Sequence, residues 1–356
     1  MGEQARTMLT DLLHIRPMRG THRAALRAGV SVLVPLLTVL ALGHPGWTAY
    51  AAFGAFTSLY GRNHVHLSRA AMQASAAAAL TASVVLGVLV GSLESRAWVA
   101  VPVAALVAAL GAVLAAAQDW HPPGPLFLVF AFGTVASAPH HVSDVAVAAA
   151  VTGASSLFAL LVGNVGSLVR RQRSRPARLA HVWTWEPVRY ALAVVLAGGL
   201  ATGIGIGHPY WATVAAVAPL SAPGRTAQLA RAAHRVLGTL LGLLPSAALL
   251  ALHLPPYATV LVVAALQIVT ELLVGRHYGL ALLCITPMAL LMGQLAVPRP
   301  AGQLLFDRGV ETVIGGLIGG AIVLCQPWHR LNPGRRASRG RRLQRRSDSA
   351  GTVRRG

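Results

Sequence analysis

Residues 43–56, GHPGWTAYAAFGAF, recur 164 positions later as residues 207–220, GHPYWATVAAVAPL. Further matches follow at a spacing of 163: Gly61-Arg62 corresponds to Gly224-Arg225, and Asp144 corresponds to Asp307. A spacing held over this distance is the signature of an internal duplication. We therefore predict that the chain consists of two copies of one structural unit.

Each copy is strongly apolar. Hydrophobic residues make up 55% of the 356 residues and charged residues 11%, whereas a soluble domain carries about 25% charged residues. The apolar residues form twelve segments, most of them near the roughly 20 residues that a helix needs to cross a bilayer. The segments are 24–43, 46–60, 70–92, 97–117, 123–139, 143–169, 187–207, 209–223, 232–252, 256–275, 278–297 and 309–326. We predict an all-α, polytopic membrane protein with about 12 transmembrane helices in two parallel six-helix repeats.

The distribution of arginine predicts the domain boundaries and the orientation. We expect a cytoplasmic N-terminal segment (1–22), a first repeat (23–169), a basic cytoplasmic linker (170–186), a second repeat (187–326) and a disordered, basic cytoplasmic tail (327–356). With the N-terminus inside, 27 of the 30 arginines are cytoplasmic and only Arg96, Arg299 and Arg308 fall in outside loops. Because cytoplasmic loops are enriched in basic residues, we predict a plasma (inner) membrane protein with both termini in the cytoplasm.

Two short apolar segments point to a binding site, because paired short or interrupted segments of transporter repeats often flank the substrate. Both open with His-Pro-x-Trp and lead to arginines, so the candidate substrate-binding residues are His44, Trp47, Arg62, His208, Trp211, Arg225 and Arg235. The tryptophans suit either interfacial anchoring or stacking on a substrate. The arginines suit either topology or bidentate attraction of a carboxylate.

Acidic residues within or beside apolar segments are few, so each is informative. Glu271 lies near the end of segment 256–275, and Glu311 is expected to start the last helix, one turn after Asp307. Asp144, Asp307 and Glu311 suit first-turn pairing with the helix dipole. All four carboxylates are also candidates for coupling transport to protons.

Other classes of function find little support in the sequence. The chain has no P-loop and no nucleophile motif, and Gly203-Ile-Gly205-Ile-Gly207 follows no predicted strand. We expect no enzyme activity, no cofactor and no metal site. The basic tail lacks interleaved aromatic residues, so we expect it to contact anionic lipid rather than nucleic acid. The sequence leaves open whether the chain forms a homo-oligomer.

Several motifs together resemble a known family. They are the basic start with Arg23 and Arg27, His-Pro-Tyr-Trp at 208–211, RVLGTLLG at 235–242 and RGVETVIG at 308–315. The chain resembles the fusaric acid resistance-like, or aromatic acid exporter, membrane proteins, also described as integral membrane bound transporter domains. The resemblance implies six-helix halves and export of organic anions, especially aromatic carboxylates.

From the residues and the resemblance together we expect a membrane transporter, a secondary exporter of small organic anions such as aromatic carboxylates. Its partners would be the lipid bilayer, the organic anion and protons. Two alternatives remain open at this point. One is a passive anion channel, in which arginines set selectivity without a coupling acid. The other is a non-transporting membrane scaffold of the cell envelope.

Overall fold

A computed structural model of the chain describes residues 22–61, 66–164 and 185–326, and these residues are helical without any strand. The predicted tail, the predicted N-terminal segment except His22, and the predicted linker except its last two residues lie outside the described residues. The first half contains α1 (His22–Ala41), α2 (Thr48–Ala55), α3 (His66–Gly91), α4 (Arg96–Ala117), α5 (Leu126–Ala136) and α6 (Asp144–Asn164). The second half contains α7 (Glu186–Gly203), α8 (Tyr210–Leu220), α9 (Arg225–Ala251), α10 (Pro256–Leu273), α11 (Tyr278–Ala296) and α12 (Ala301–Leu324).

The helices are those of a polytopic membrane protein, as predicted. Seven of the described helices are long and apolar enough to cross a bilayer, namely α1, α3, α4, α6, α9, α10 and α11. Two others, α5 and α8, are apolar but have only 11 residues each. The exposed side chains of the long helices include many leucines, such as Leu106 on α4 and Leu244 on α9. Such apolar outer surfaces suit contact with lipid tails.

Corresponding helices of the two halves pack in corresponding pairs. The third helix packs against the fifth and sixth in both halves, and the short second helix packs against the sixth in both. The first helix of each half crosses over to the fourth helix of the other half, α1 to α10 and α7 to α4. The contacts of α1 with α10 and of α7 with α4 therefore join the two halves of the chain.

The connections between helices gather at two ends of the bundle. At one end, the His140 amide donates to the carbonyl of Gly91, 3.2 Å away, which joins the α5–α6 and α3–α4 connections. At the other end, the Gly61 amide donates to the carbonyl of His121 at 2.9 Å. There Arg225 at the start of α9 also donates to the carbonyl of Leu324 at the end of α12, at 3.0 Å. Helix α12 therefore ends beside the start of α9.

Two predicted segments differ from the structure. Segment 46–60 is not one helix but three short pieces: a 3₁₀ turn at Pro45–Trp47, then α2, then a 3₁₀ turn at Phe56–Leu59. Helix α12 begins at Ala301 and not near residue 309, so Arg308 is not in a loop and Glu311 does not start the helix. The charges of Asp307, Arg308 and Glu311 favoured a loop in the sequence analysis. In the structure these side chains are buried inside the bundle, where charged residues of membrane helices usually lie.

Candidate functional site

A cavity of about 330 Å³ lies between the two halves. The first half contributes an aromatic wall made of Phe53, Phe56, Phe127 and Phe130. The rings of Phe53 and Phe130 meet edge to face with their centroids 5.1 Å apart, and those of Phe56 and Phe127 do so at 5.3 Å. Edge-to-face pairs of this kind are a favoured aromatic arrangement. This side of the cavity is therefore a rigid apolar surface.

The second half contributes the charged wall. Arg231 and Arg235 of α9 line the cavity together with Arg308 of α12. Tyr278 lies between the first two: its hydroxyl is 3.3 Å from Nη1 of Arg235, which donates to it, and its ring centroid is 4.3 Å from Cζ of Arg231. Tyr278 thus fixes the positions of two guanidinium groups by a hydrogen bond and a cation–π contact.

Arg308 is the most unusual residue of the cavity. Its side chain is 0% exposed, and its Cζ lies 3.7 Å from the centroid of the Trp211 ring. None of its three guanidinium nitrogens has a hydrogen-bond partner within the described part of the chain. A buried charge that lacks a paired or hydrogen-bonded partner is strongly unfavourable. The cation–π contact with Trp211 offsets only part of this cost, so Arg308 is suited to receive an anion from the cavity.

One acidic side chain, Glu271, lines the cavity among the described residues. It is 6% exposed, and its Oε1 accepts a hydrogen bond of 3.4 Å from Nε2 of Gln267, one turn earlier on α10. Three arginines against one carboxylate leave the lining with a net positive charge. The electrostatic field inside the cavity therefore favours anions.

A second polar group lies behind Arg308, where the connection before α8 meets α12. Oδ2 of Asp307 is 3.2 Å from Nδ1 of His208, and Oε1 of Glu311 accepts a hydrogen bond of 2.8 Å from the His208 amide. All three residues are nearly or fully buried. A Cβ atom at Gly207 would lie 2.6 Å from Oδ2 of Asp307, so a larger residue there would displace this carboxylate. The group ties the start of α8, and hence Trp211, to the helix that carries Arg308.

The structure therefore brings together six of the predicted residues: Trp211, Arg235 and Glu271 in the cavity lining, and His208, Asp307 and Glu311 beside it. The cavity does not include the first-half counterparts. His44 is exposed and stacks on Trp47 with ring centroids 3.7 Å apart. Asp144 begins α6, where Oδ2 accepts a hydrogen bond of 2.8 Å from the His141 amide and lies 3.8 Å from Nδ1 of His140.

Arg225 does not line the cavity, since its guanidinium reaches the carboxyl end of α12. Arg62 lies outside the described residues. The predicted roles of these residues in binding and coupling stay predictions.

Sequence reasoning missed Arg308, Arg231, Tyr278 and the phenylalanine wall as site residues. Signals for some of them were present. Arg231 and Arg235 are four residues apart, which places them on one face of a helix. Arg308 opens one of the motifs that carry the family resemblance. The phenylalanines gave no separate signal, because an aromatic residue in an apolar segment is equally suited to ordinary packing.

No group of three or more histidine, cysteine or acidic side chains suited to a metal ion occurs in residues 22–61, 66–164 and 185–326.

The fold and the cavity define a helical, multi-pass membrane protein with a buried cationic site. Residues 190–322 match the sequence model of the fusaric acid resistance protein-like family, which is the family named by the resemblance in the sequence. A similar curated protein is the uncharacterized membrane protein YvaC of Bacillus subtilis (strain 168), 27% identical over 148 residues. The aligned part covers 41% of this chain, which spans only 23% of the length of YvaC. No solved structure gives a significant match.

Proposed function

We propose that the protein is a secondary exporter of small organic anions, with aromatic carboxylates as the substrate class. The observation that carries this proposal is Arg308, a fully buried guanidinium without a hydrogen-bond partner in the described residues, stacked on Trp211 and facing a cavity with an aromatic opposite wall. A carboxylate matches the fork of the guanidinium group in a bidentate pair. An aromatic ring attached to it matches the phenylalanine wall.

The size and composition of the cavity support a small ligand. Its volume of about 330 Å³ is at the lower end of the roughly 300–1,000 Å³ typical of ligand sites. Most of its lining is apolar, with a few polar groups in the second half. This combination is typical of sites that orient a ligand by a small number of charged contacts and bind the remainder by apolar burial.

For the membrane topology we propose twelve crossings in two parallel six-helix repeats, with both termini on the cytoplasmic side of the plasma (inner) membrane. The recurrent packing of corresponding helices supports the duplication. The crossings by short helices are supported by α8: His208, just before the helix, contacts Asp307, and Ser221, just after it, lies against Gly124 of the α4–α5 connection. The distribution of arginines supports the orientation.

For the coupling step we propose that protons act at Glu271 or at Asp307. Glu271 shares the cavity with Arg231 and Arg235, so its charge competes with a substrate carboxylate for the same cations. Asp307 pairs with His208 and precedes Arg308 in α12, so a change in its charge acts directly beside the anion site. In both cases one proton bound would alter the affinity for the anion, as carrier coupling requires.

The test is flux of radiolabelled salicylate, an aromatic carboxylate, in proteoliposomes with an imposed pH gradient and a clamped membrane voltage. Accumulation against the salicylate gradient is expected for the proton-coupled exporter. Arg308→Gln should abolish it, whereas Arg23→Gln, which removes an exposed arginine of α1 outside this cavity, should retain it. Equilibration that ignores the pH gradient would instead support a passive anion channel. Absence of flux would support a non-transporting scaffold.

A further inference from the structure

A second cavity, of about 350 Å³, lies next to the first. Its lining comes from α4, α5, α7 and α8 and from the connections before α8 and before α12. Tyr210 is the one residue among those described that lines both cavities. The two spaces are therefore neighbours that meet at a single side chain.

The second cavity is also cationic. Arg96, at the start of α4, and Arg299, in the connection between α11 and α12, line it, and its described lining contains no acidic residue. The backbone of Arg299 is held in place by Gln294: the Arg299 amide donates to Oε1 and the Arg299 carbonyl accepts from Nε2, both at 3.0 Å. Two half-buried arginines thus line one small space.

Tyr210 is fixed where the cavities meet. Its ring centroid is 4.7 Å from that of Trp211 and 6.4 Å from that of Phe130, with the Phe130 ring nearly parallel at 20°. On the other side, a Cβ atom at Gly133 of α5 would lie 2.6 Å from Cβ of Tyr210, so the glycine allows α8 to approach α5 closely. The phenol ring is consequently packed as part of a wall between the two spaces.

We propose that the second cavity is an outer anion-binding site on the export route, and that the Tyr210 ring is the partition between it and the inner site at Arg308. This inference rests on the proposed function and adds to it a second binding site for the same carboxylates. The connections around the second cavity include those that carry Arg96 and Arg299, and the proposed topology places them at the outer end. An anion that leaves Arg308 would pass Tyr210 and meet Arg299 and Arg96 before it reaches the outside.

Saturation binding of radiolabelled salicylate to the purified full chain tests the second site. Two salicylate molecules should bind each wild-type chain, and one should bind Arg96→Gln/Arg299→Gln, with the remaining dissociation constant unchanged. Arg96→Lys/Arg299→Lys retains both charges and should retain two molecules, as should the control Arg23→Gln. One molecule per wild-type chain would overturn the outer site and leave the proposed function standing. No binding at all would contradict both.

A flux measurement tests the partition separately and does not depend on the arginine variants. Tyr210→Ala joins the two cavities, so passive efflux of salicylate from loaded proteoliposomes, without a pH gradient, should rise several-fold. Tyr210→Phe keeps the ring and should leak far less than Tyr210→Ala. Equal leak through the two variants would overturn the role of the ring, even if two binding sites are found.

Discussion

Replacement of Arg308 by methionine should weaken ligand binding without lowering the stability of the fold. The guanidinium is 0% exposed and has no hydrogen-bond partner among the described residues, so folding carries a desolvation cost of several kcal/mol. Its contact with Trp211 returns about 2 kcal/mol of this cost. Methionine has a similar length and no charge. We therefore expect Arg308→Met to leave the free energy of unfolding unchanged or to raise it, by up to about 4 kcal/mol.

The same substitution should strongly weaken binding of an aromatic carboxylate. A bidentate pair supplies two hydrogen bonds to a charged group, each of about 1.5 kcal/mol or more. Their loss amounts to about 3 kcal/mol, and since 1.4 kcal/mol is a factor of ten, the dissociation constant should rise about a hundredfold. Arg308→Lys retains the charge but not the fork, so it should lose about one hydrogen bond and bind about tenfold more weakly.

The assay combines thermal unfolding in detergent with equilibrium binding of salicylate, and Arg23→Met serves as the control for loss of an exposed arginine. We expect Arg308→Met to show an equal or higher unfolding midpoint together with the loss of affinity. A lower midpoint with unchanged affinity would refute the reasoning, since it would mean that Arg308 stabilises the fold and does not meet the ligand.

Three other changes test the neighbours of Arg308. Trp211→Ala removes the ring beneath the guanidinium and a contact of about 2 kcal/mol, so salicylate should bind about thirtyfold more weakly, with a smaller loss in Trp211→Phe. Gly207→Ala places a Cβ atom within 2.6 Å of Oδ2 of Asp307 and should displace the His208–Asp307 pair, which would reduce pH-driven accumulation more than equilibrium binding. Glu271→Gln removes the charge but can still accept the hydrogen bond from Gln267. If coupling occurs at Glu271, downhill flux should persist in this variant while concentrative transport is lost. Full pH-driven accumulation in the last variant would assign coupling elsewhere.

The sequence predicted the class of fold and three of the residues that line the candidate cavity. Long apolar segments can only be helices in lipid, so the polytopic helical fold followed from composition. Trp211, Arg235 and Glu271 were predicted and lie in the cavity lining. Arg308 was misplaced because the start of its helix was misjudged: Pro300 precedes Ala301, and proline next to the first turn was the usable signal.

The motif His-Pro-x-Trp shows what sequence alone could not decide. It occurs at His44 and at His208, and both copies were equally good candidates. In the second half, α12 begins six residues before Asp307, so this carboxylate lies inside the helix and reaches His208. In the first half, α6 begins at Asp144 itself, and the carboxylate accepts the His141 amide at the helix start. Identical motifs therefore differ because their partners on a distant helix differ.

When the two halves are compared at the spacing of the proposed duplication, their charged and aromatic residues differ in opposite directions. Spacing 163 relates Arg308, Glu311, Arg235 and Glu271 to the uncharged Val145, Ala148, Met72 and Ala108. Conversely, Phe53 and Phe56 correspond to Val217 and Leu220 at the spacing of 164, and Phe127 and Phe130 correspond to Leu290 and Gly293 at 163.

A physical reason follows from the cost of burying charge. Two symmetric sets of arginines around one cavity would repel each other, and each unpaired guanidinium would add several kcal/mol of desolvation. A ligand with one carboxylate can compensate only one set. A ring at its other end gains most from an apolar surface, at roughly 25 cal/mol for each Å² buried. A cavity with one charged half and one aromatic half is therefore the arrangement expected for a molecule that is itself charged at one end and aromatic at the other.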